Sequence, residues 1–152
     1  MKIFIMRHAE AEVFAPSDKL RPLTQQGMNQ ALQQGQWLHK TAENFCHVLV
    51  SPYLRAQQTF NQVNEAFQHK LNEQQETWDA LTPNGNAKQV FDYLSVLKQE
   101  GAKNILIISH LPLVGEIVAQ FCGQNYVAFY PACVAELDWQ DEKTQFIASH
   151  TV

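Results

Sequence analysis

Arg7, His8, Arg55 and His110 are the residue types that handle a phosphoryl group, and Arg21 adds a further cation if the fold brings it near. Guanidinium forks pair bidentately with phosphate oxygens, fixing orientation as well as charge. A neutral imidazole attacks phosphorus through one ring nitrogen when a backbone carbonyl holds the proton on the other. In that scheme His8 is the nucleophile and water hydrolyses the resulting phosphohistidine. The arginines and His110 neutralise the charge spread over the equatorial oxygens, and no metal or other cofactor is called for. Taken singly, each histidine is explained as the polar end of a strand. Only their convergence with the arginines points to catalysis. A metal site starting from His8, Glu10 and Glu12 lacks any His-x-x-x-His or Glu-x-x-His spacing.

The elements that must position these residues are set by the hydrophobic pattern. Ile3 to Met6 and Ile105 to Ile108 are short unbroken apolar runs, as expected of strands buried on both faces, and each ends in histidine-bearing polar residues. His47 to Val50 is a third such strand, broken by Ser51-Pro52. Pro52 is expected in the first turn of a helix with the apolar face Ala56, Phe60, Val63 and Phe67. Thr24 is expected to cap a helix with the stripe Met28, Ala31, Leu32, Gly35 and Leu38. Residues 69–77 read as loop, with at most a marginal strand near Trp78, and Pro83-Asn84-Gly85 as a turn. A helix comes next through Ala87, Val90, Phe91, Leu94 and Leu97, stopped by Gly101. Pro112 opens another through Val114, Ile117, Val118 and Phe121, closed near Gly123. Val134 to Trp139 alternates, Asp141 to Lys143 turns, and Gln145 to Ala148 returns as a hairpin. The expected fold class is α/β, a single-domain three-layer αβα sandwich with a mostly parallel sheet and an antiparallel C-terminal edge. Sites in such sheets form beyond the carboxyl ends of strands, which puts His8, Arg55 and His110 on one rim.

Composition narrows the function classes. The chain has 152 residues, enough for one well-packed domain, and a net charge of −4 with scattered lysines and arginines, which argues against nucleic acid. The leading apolar run is too short for a membrane span or a signal-peptide core, so no membrane role and a cytoplasmic location are expected. Cys46, Cys122 and Cys133 lack metal-ligand spacing and are expected to be reduced, buried and inert. His39, His47, His69 and His150 read as surface or boundary residues. Phe129-Tyr130-Pro131 is expected mainly to pack at the sheet's end, with an exposed, partner-touching loop as the lesser option.

Four motifs in order carry a resemblance. They are Arg7-His8 after an apolar strand, Leu23-Thr24-x-x-Gly27, Ser51-Pro52 with Leu54-Arg55-Ala56-x-x-Thr59, and Ser109-His110. They resemble the histidine phosphatase superfamily, which includes the phosphoglycerate mutases. Ser17-Asp18, Arg21-Pro22-Leu23-Thr24, Leu81-Thr82-Pro83 and Ile108 to Gly115 are similar to the SixA-type phosphohistidine phosphatases within it. The resemblance runs from residue 3 to about residue 120 and is not specific after about 124. It implies an αβα fold, a phosphorylated nucleophile at His8, and phosphoryl contacts from Arg7, Arg55 and His110. Arg21 and Asp18 are implied at the pocket edge as substrate-binding residues.

The implied partner is a phosphohistidine-containing protein, either a histidine phosphotransfer domain or a phosphocarrier. Short connections leave little to form the lid that larger members fold over metabolites. The family's acid before Leu-Thr-Pro is replaced by Ala80, leaving Asp79 or Asp18 as substitutes, and an imidazole leaving group has less need of a strong acid. The alternatives are a small-molecule phosphomonoesterase of the same superfamily and a non-catalytic phosphoprotein-binding module.

Overall fold

The computed structural model describes residues 1–152. In chain order the elements are β1 (Lys2–Arg7), α1 (Gln25–Thr41), β2 (His47–Val50), α2 (Leu54–Ala66), β3 (Gln75–Thr77), α3 (Ala87–Gln99), β4 (Asn104–Ser109), α4 (Leu113–Cys122), β5 (Val134–Gln140) and β6 (Lys143–His150). One sheet holds all six strands in the order β3-β2-β4-β1-β5-β6. The pairs β3·β2, β2·β4 and β4·β1 are parallel, whereas β1·β5 and β5·β6 are antiparallel. This is the mostly parallel sheet with an antiparallel C-terminal edge expected from the sequence.

Successive side chains along a strand point to opposite faces, and here they divide the core in two. Ile3, Ile5, Leu49, Ile105 and Ile107 pack with Val90, Leu94, Ile117 and Phe121 of α3 and α4. Phe4, Met6, Val48, Val50, Leu106 and Ile108 pack with Ala31, Leu38, Ala56, Phe60 and Val63 of α1 and α2. The central strands β1, β2 and β4 are therefore apolar at every interior position because both faces are covered. Strand ends are then the only places where polar side chains can emerge.

Helix boundaries obey the capping signals with small shifts. Thr24 Oγ1 accepts from the Gly27 N–H, and Gly123 closes α4 in the left-handed conformation at φ 87°. Pro52 lies outside α2 rather than in its first turn, because Tyr53 is the N-cap. Lys143 belongs to β6, so the hairpin turn is tighter than expected. Cysteine burial also departs from expectation: only Cys133 is buried, Cys122 is half-buried and Cys46 is exposed. Cys46 sits just before β2, where the chain enters the sheet from the surface. No helix is long and apolar enough to cross a membrane.

Two glycines set close approaches on the α1 side. At Gly35 a Cβ would lie 2.8 Å from Val63 Cα, so its absence lets α1 and α2 touch backbone to backbone. At Gly27 a Cβ would strike the Glu10 carbonyl oxygen, two residues past His8 in the loop that follows β1. The same carbonyl accepts from the Thr24 N–H at 3.0 Å. Gly27→Ala is expected to push the first turn of α1 off this loop and cost about 1–3 kcal/mol. Urea unfolding checks this, with exposed Gln36→Ala on the same helix staying within about 0.5 kcal/mol of wild type.

Candidate active site

β1 and β4 are parallel neighbours, with Arg7 in register with Ser109, so the residues just past them emerge side by side. Backbone bonds lock the two exits together, since the His8 N–H donates to the Ser109 carbonyl at 2.9 Å. β2 lies on the other side of β4 and delivers Ser51 and the start of α2 to the same rim. The His8 and His110 rings lie 5.1 Å apart, and Arg55 Nε donates to His8 Nε2 at 3.3 Å. The three strand-end residues expected on one rim are therefore in one cluster. All three are buried.

The orientation of His8 is explicit. Its Nδ1 donates to the Ala9 carbonyl oxygen at 2.7 Å, which fixes the proton there and leaves the Nε2 lone pair available. The Ala9 peptide is itself held. Its N–H donates to Thr59 Oγ1 at 3.0 Å, and that hydroxyl donates to the Arg55 carbonyl at 2.7 Å. One threonine thus ties the peptide that aims His8 to the helix that carries Arg55.

His110 is oriented by Ser51, whose Oγ lies 2.7 Å from His110 Nε2. That oxygen accepts the Tyr53 N–H at 3.3 Å. With the Ser51 hydroxyl donating, His110 Nε2 is the acceptor of this bond. The ring is then an Nδ1–H tautomer, and this buried nitrogen has no protein partner. Arg7 shows the same feature: Nη1 donates to the Phe129 carbonyl at 2.9 Å while the buried Nε is unpaired. Buried donors without partners are rare, and two in one cluster suit an oxyanion.

Asp18 and Arg21 join the cluster from its edge. Arg55 donates through Nη1 to the Asp18 carbonyl at 2.7 Å and through Nη2 to Asp18 Oδ2 at 3.3 Å. Arg21 donates to Asp18 Oδ1 at 3.1 Å and to the Glu12 carbonyl at 2.7 Å. Desolvation works against ionising Asp18, but hydrogen bonds and charge from Arg21 and Arg55 outweigh it and hold the carboxyl below its usual range. Asp18 therefore stays a carboxylate at neutral pH, unsuited to donate a proton. Asp79 is exposed, in the short turn that also holds Ala80.

Burial dominates the imidazoles. Desolvation pushes His8 down to about 4, against its bond to Ala9 and helped by the charges of Arg55, Arg7 and Arg21. Desolvation, then His8 and Arg55, pushes His110 down to about 3. Both rings are neutral at pH 7, the form a nucleophile and a hydrogen-bond donor need.

Thr59 and Ser51 stand within the motifs that carry the resemblance but have no role assigned to them there, and sequence reasoning does not single out Gln34 at all. Thr59 carries a signal, lying one turn after Arg55 on the same helix face, whereas Ser51 reads as a strand breaker. Gln34 is fully buried and donates to the carbonyls of Ala132 and His150 at 2.7 and 2.9 Å. The Ala132 N–H in turn donates to the His8 carbonyl at 3.1 Å. A glutamine between the buried Ala31 and Leu38 of α1 is the available clue. Phe129 is buried, as expected of packing at the sheet's end, while its neighbour Tyr130 is 62% exposed.

The sequence profile of the histidine phosphatase superfamily (branch 1) matches residues 3–82. A phosphohistidine phosphatase SixA homolog of Haemophilus influenzae is 53% identical, covering 97% of this chain and 93% of that protein. The phosphohistidine phosphatase SixA of Escherichia coli is 40% identical, covering 90% and 84%. A solved structure of the protein histidine phosphatase SixA complexed with tungstate superposes with a TM-score of 0.92 at 38% identity, covering 99% of this chain and 97% of that one.

The depressed imidazoles make stability depend on pH. Unfolded histidine takes a proton near pH 6.5, whereas folded His8 does so near 4. Between those values the unfolded state binds more protons, so stability falls as pH falls through that window, by on the order of 3 kcal/mol for His8. NMR titration is expected to show His8 titrating near 4 in the free protein, and added phosphate raising it. A value near 6.5 without ligand would contradict the buried neutral site.

Proposed function

Because the chain belongs to the histidine phosphatase superfamily, and within it to the SixA type, we propose that it is a phosphohistidine phosphatase. Its substrate on this reading is a signalling protein, a histidine phosphotransfer domain or a phosphocarrier, acted on in the cytoplasm. The observation that carries the proposal is the unprotonated Nε2 of His8, aimed by the Nδ1 bond to Ala9 and facing Arg55 and His110.

In the first step His8 Nε2 forms a bond to phosphorus as the phosphorus–nitrogen bond of the substrate breaks. The substrate imidazole carries a proton on its other nitrogen and so leaves as a neutral ring. That needs no strong general acid, in keeping with Ala80 where the family pattern has Glu and with the ionised Asp18. In the second step water attacks phospho-His8 and releases phosphate. Arg55 Nε is hydrogen-bonded to the His8 lone pair in the free enzyme, and the incoming phosphoryl oxygens take over that donor. Arg7 Nε and His110 Nδ1, both without protein partners, donate to the same oxygens. Arg21 sits at the pocket edge, and Asp18 acts through Arg55, since a carboxylate laid against a phosphoryl dianion would repel it. The related SixA was solved in complex with tungstate, a tetrahedral oxyanion, which supports an oxyanion-binding role for this family of sites. No step draws on a metal ion.

The test is phosphate release from a phosphorylated phosphotransfer domain in the presence of EDTA. Wild type is expected to turn over and His8→Ala to lose activity about a thousandfold or more. Rapid quench is expected to trap acid-labile phosphate on His8. No release, or full activity in His8→Ala, overturns the proposal. Fast turnover of sugar phosphates without action on the phosphoprotein makes the chain a small-molecule phosphomonoesterase.

A further inference from the structure

Eight large apolar side chains are exposed in this protein, and five of them, Val13, Phe14, Leu20, Leu111 and Tyr130, lie on the loops that hold the site. Leu111 comes directly after His110. Tyr130 comes directly after Phe129, whose carbonyl holds Arg7. Leu20 shares a single helical turn with Asp18, the anchor of Arg55. Val13 lines an open hollow of about 330 Å³ with Ala15, Ser17, Asp18 and Arg21. Phe14, beside it, is 90% exposed, and Tyr130 is 62% exposed. The other three lie elsewhere: Val96 on α3, Tyr126 stacked on Phe146, and Ile147 on the edge strand.

We infer that these five residues form a collar that docks a folded protein presenting its phosphohistidine amid apolar side chains. The inference rests on the phosphohistidine reading above and deepens it by assigning the surface that recognises the partner. Charge decides between possible occupants. Inside the collar stand Arg7 and Arg55, with Arg21 at the edge and Asp18 the one carboxylate paired to Arg55 and Arg21, so the centre is cationic in a chain whose net charge is −4. A second copy of this chain would set those cations against themselves. A small hydrated phosphate ester would neutralise the centre but leave the collar facing water. A protein with one phosphoryl dianion amid apolar side chains matches both zones, since aromatic anchors supply most of the binding energy at such contacts.

The double variant Phe14→Ser, Tyr130→Ser removes the two most exposed aromatic members without touching the bonded cluster. Its kcat/KM is compared with wild type on a phosphorylated histidine phosphotransfer domain and on free phosphohistidine. Activity on the domain is expected to fall tenfold to a hundredfold, through KM, while activity on free phosphohistidine stays within twofold. Equal loss on both substrates, or no loss on the domain, overturns the collar. So does a wild-type dimer in solution that the double variant abolishes. A wild type that hydrolyses neither substrate overturns the phosphohistidine reading itself, an outcome distinct from a variant that behaves like an active wild type.

Discussion

The hydrogen bond from His8 Nδ1 to the Ala9 carbonyl is the constraint on which the site depends. A histidine with a mobile proton offers either nitrogen, and the wrong tautomer is useless as a nucleophile. Here the tautomer is set by the residue's own chain neighbour, whose peptide is pinned by Thr59. Thr59 is pinned to Arg55 in turn, so nucleophile and guanidinium share one rigid frame. Preorganisation of this kind lowers the reorganisation needed at the moment of reaction.

Packing cations and imidazoles together at the top of a dry sheet sets a conflict that the structure resolves by division of labour. The imidazoles give up their charge through burial. Arginine cannot, and both guanidiniums instead find backbone carbonyls, Arg7 at Phe129 and Arg55 at Asp18. Asp18 supplies the one carboxylate of the cluster, paired with Arg55 and Arg21 from a position where its side chain is still 58% exposed. The site thus keeps its guanidinium charge while its imidazoles stay neutral.

Much of this is legible in the sequence. Unbroken apolar runs ending in Arg-His and Ser-His identify strands covered on both faces, and the α/β rule then places the residues beyond those strands on one rim. Arg55 is legible because a strand breaker precedes it. Less legible are contacts made by backbone carbonyls, since Ala9, Phe129 and Ala132 act through atoms that every residue has. Gln34 and Ser51 are obscured for the opposite reason: glutamine in a helix and serine before proline have ordinary local explanations. The exposure of Cys46 shows the limit of residue-type averages, because burial there depends on where the chain enters the sheet.

The strand order carries a consequence for how the molecule is made. β1 precedes every other strand in the chain order, yet both its partners, β4 and β5, lie in the last third of the 152 residues. On the ribosome it stays without a sheet neighbour until most of the polypeptide has emerged. Its apolar edge is exposed for that interval, and pairings of such separation form slowly. Assembly of the His8 cluster is therefore a closing event of folding, and truncated chains lack the strands that enclose it.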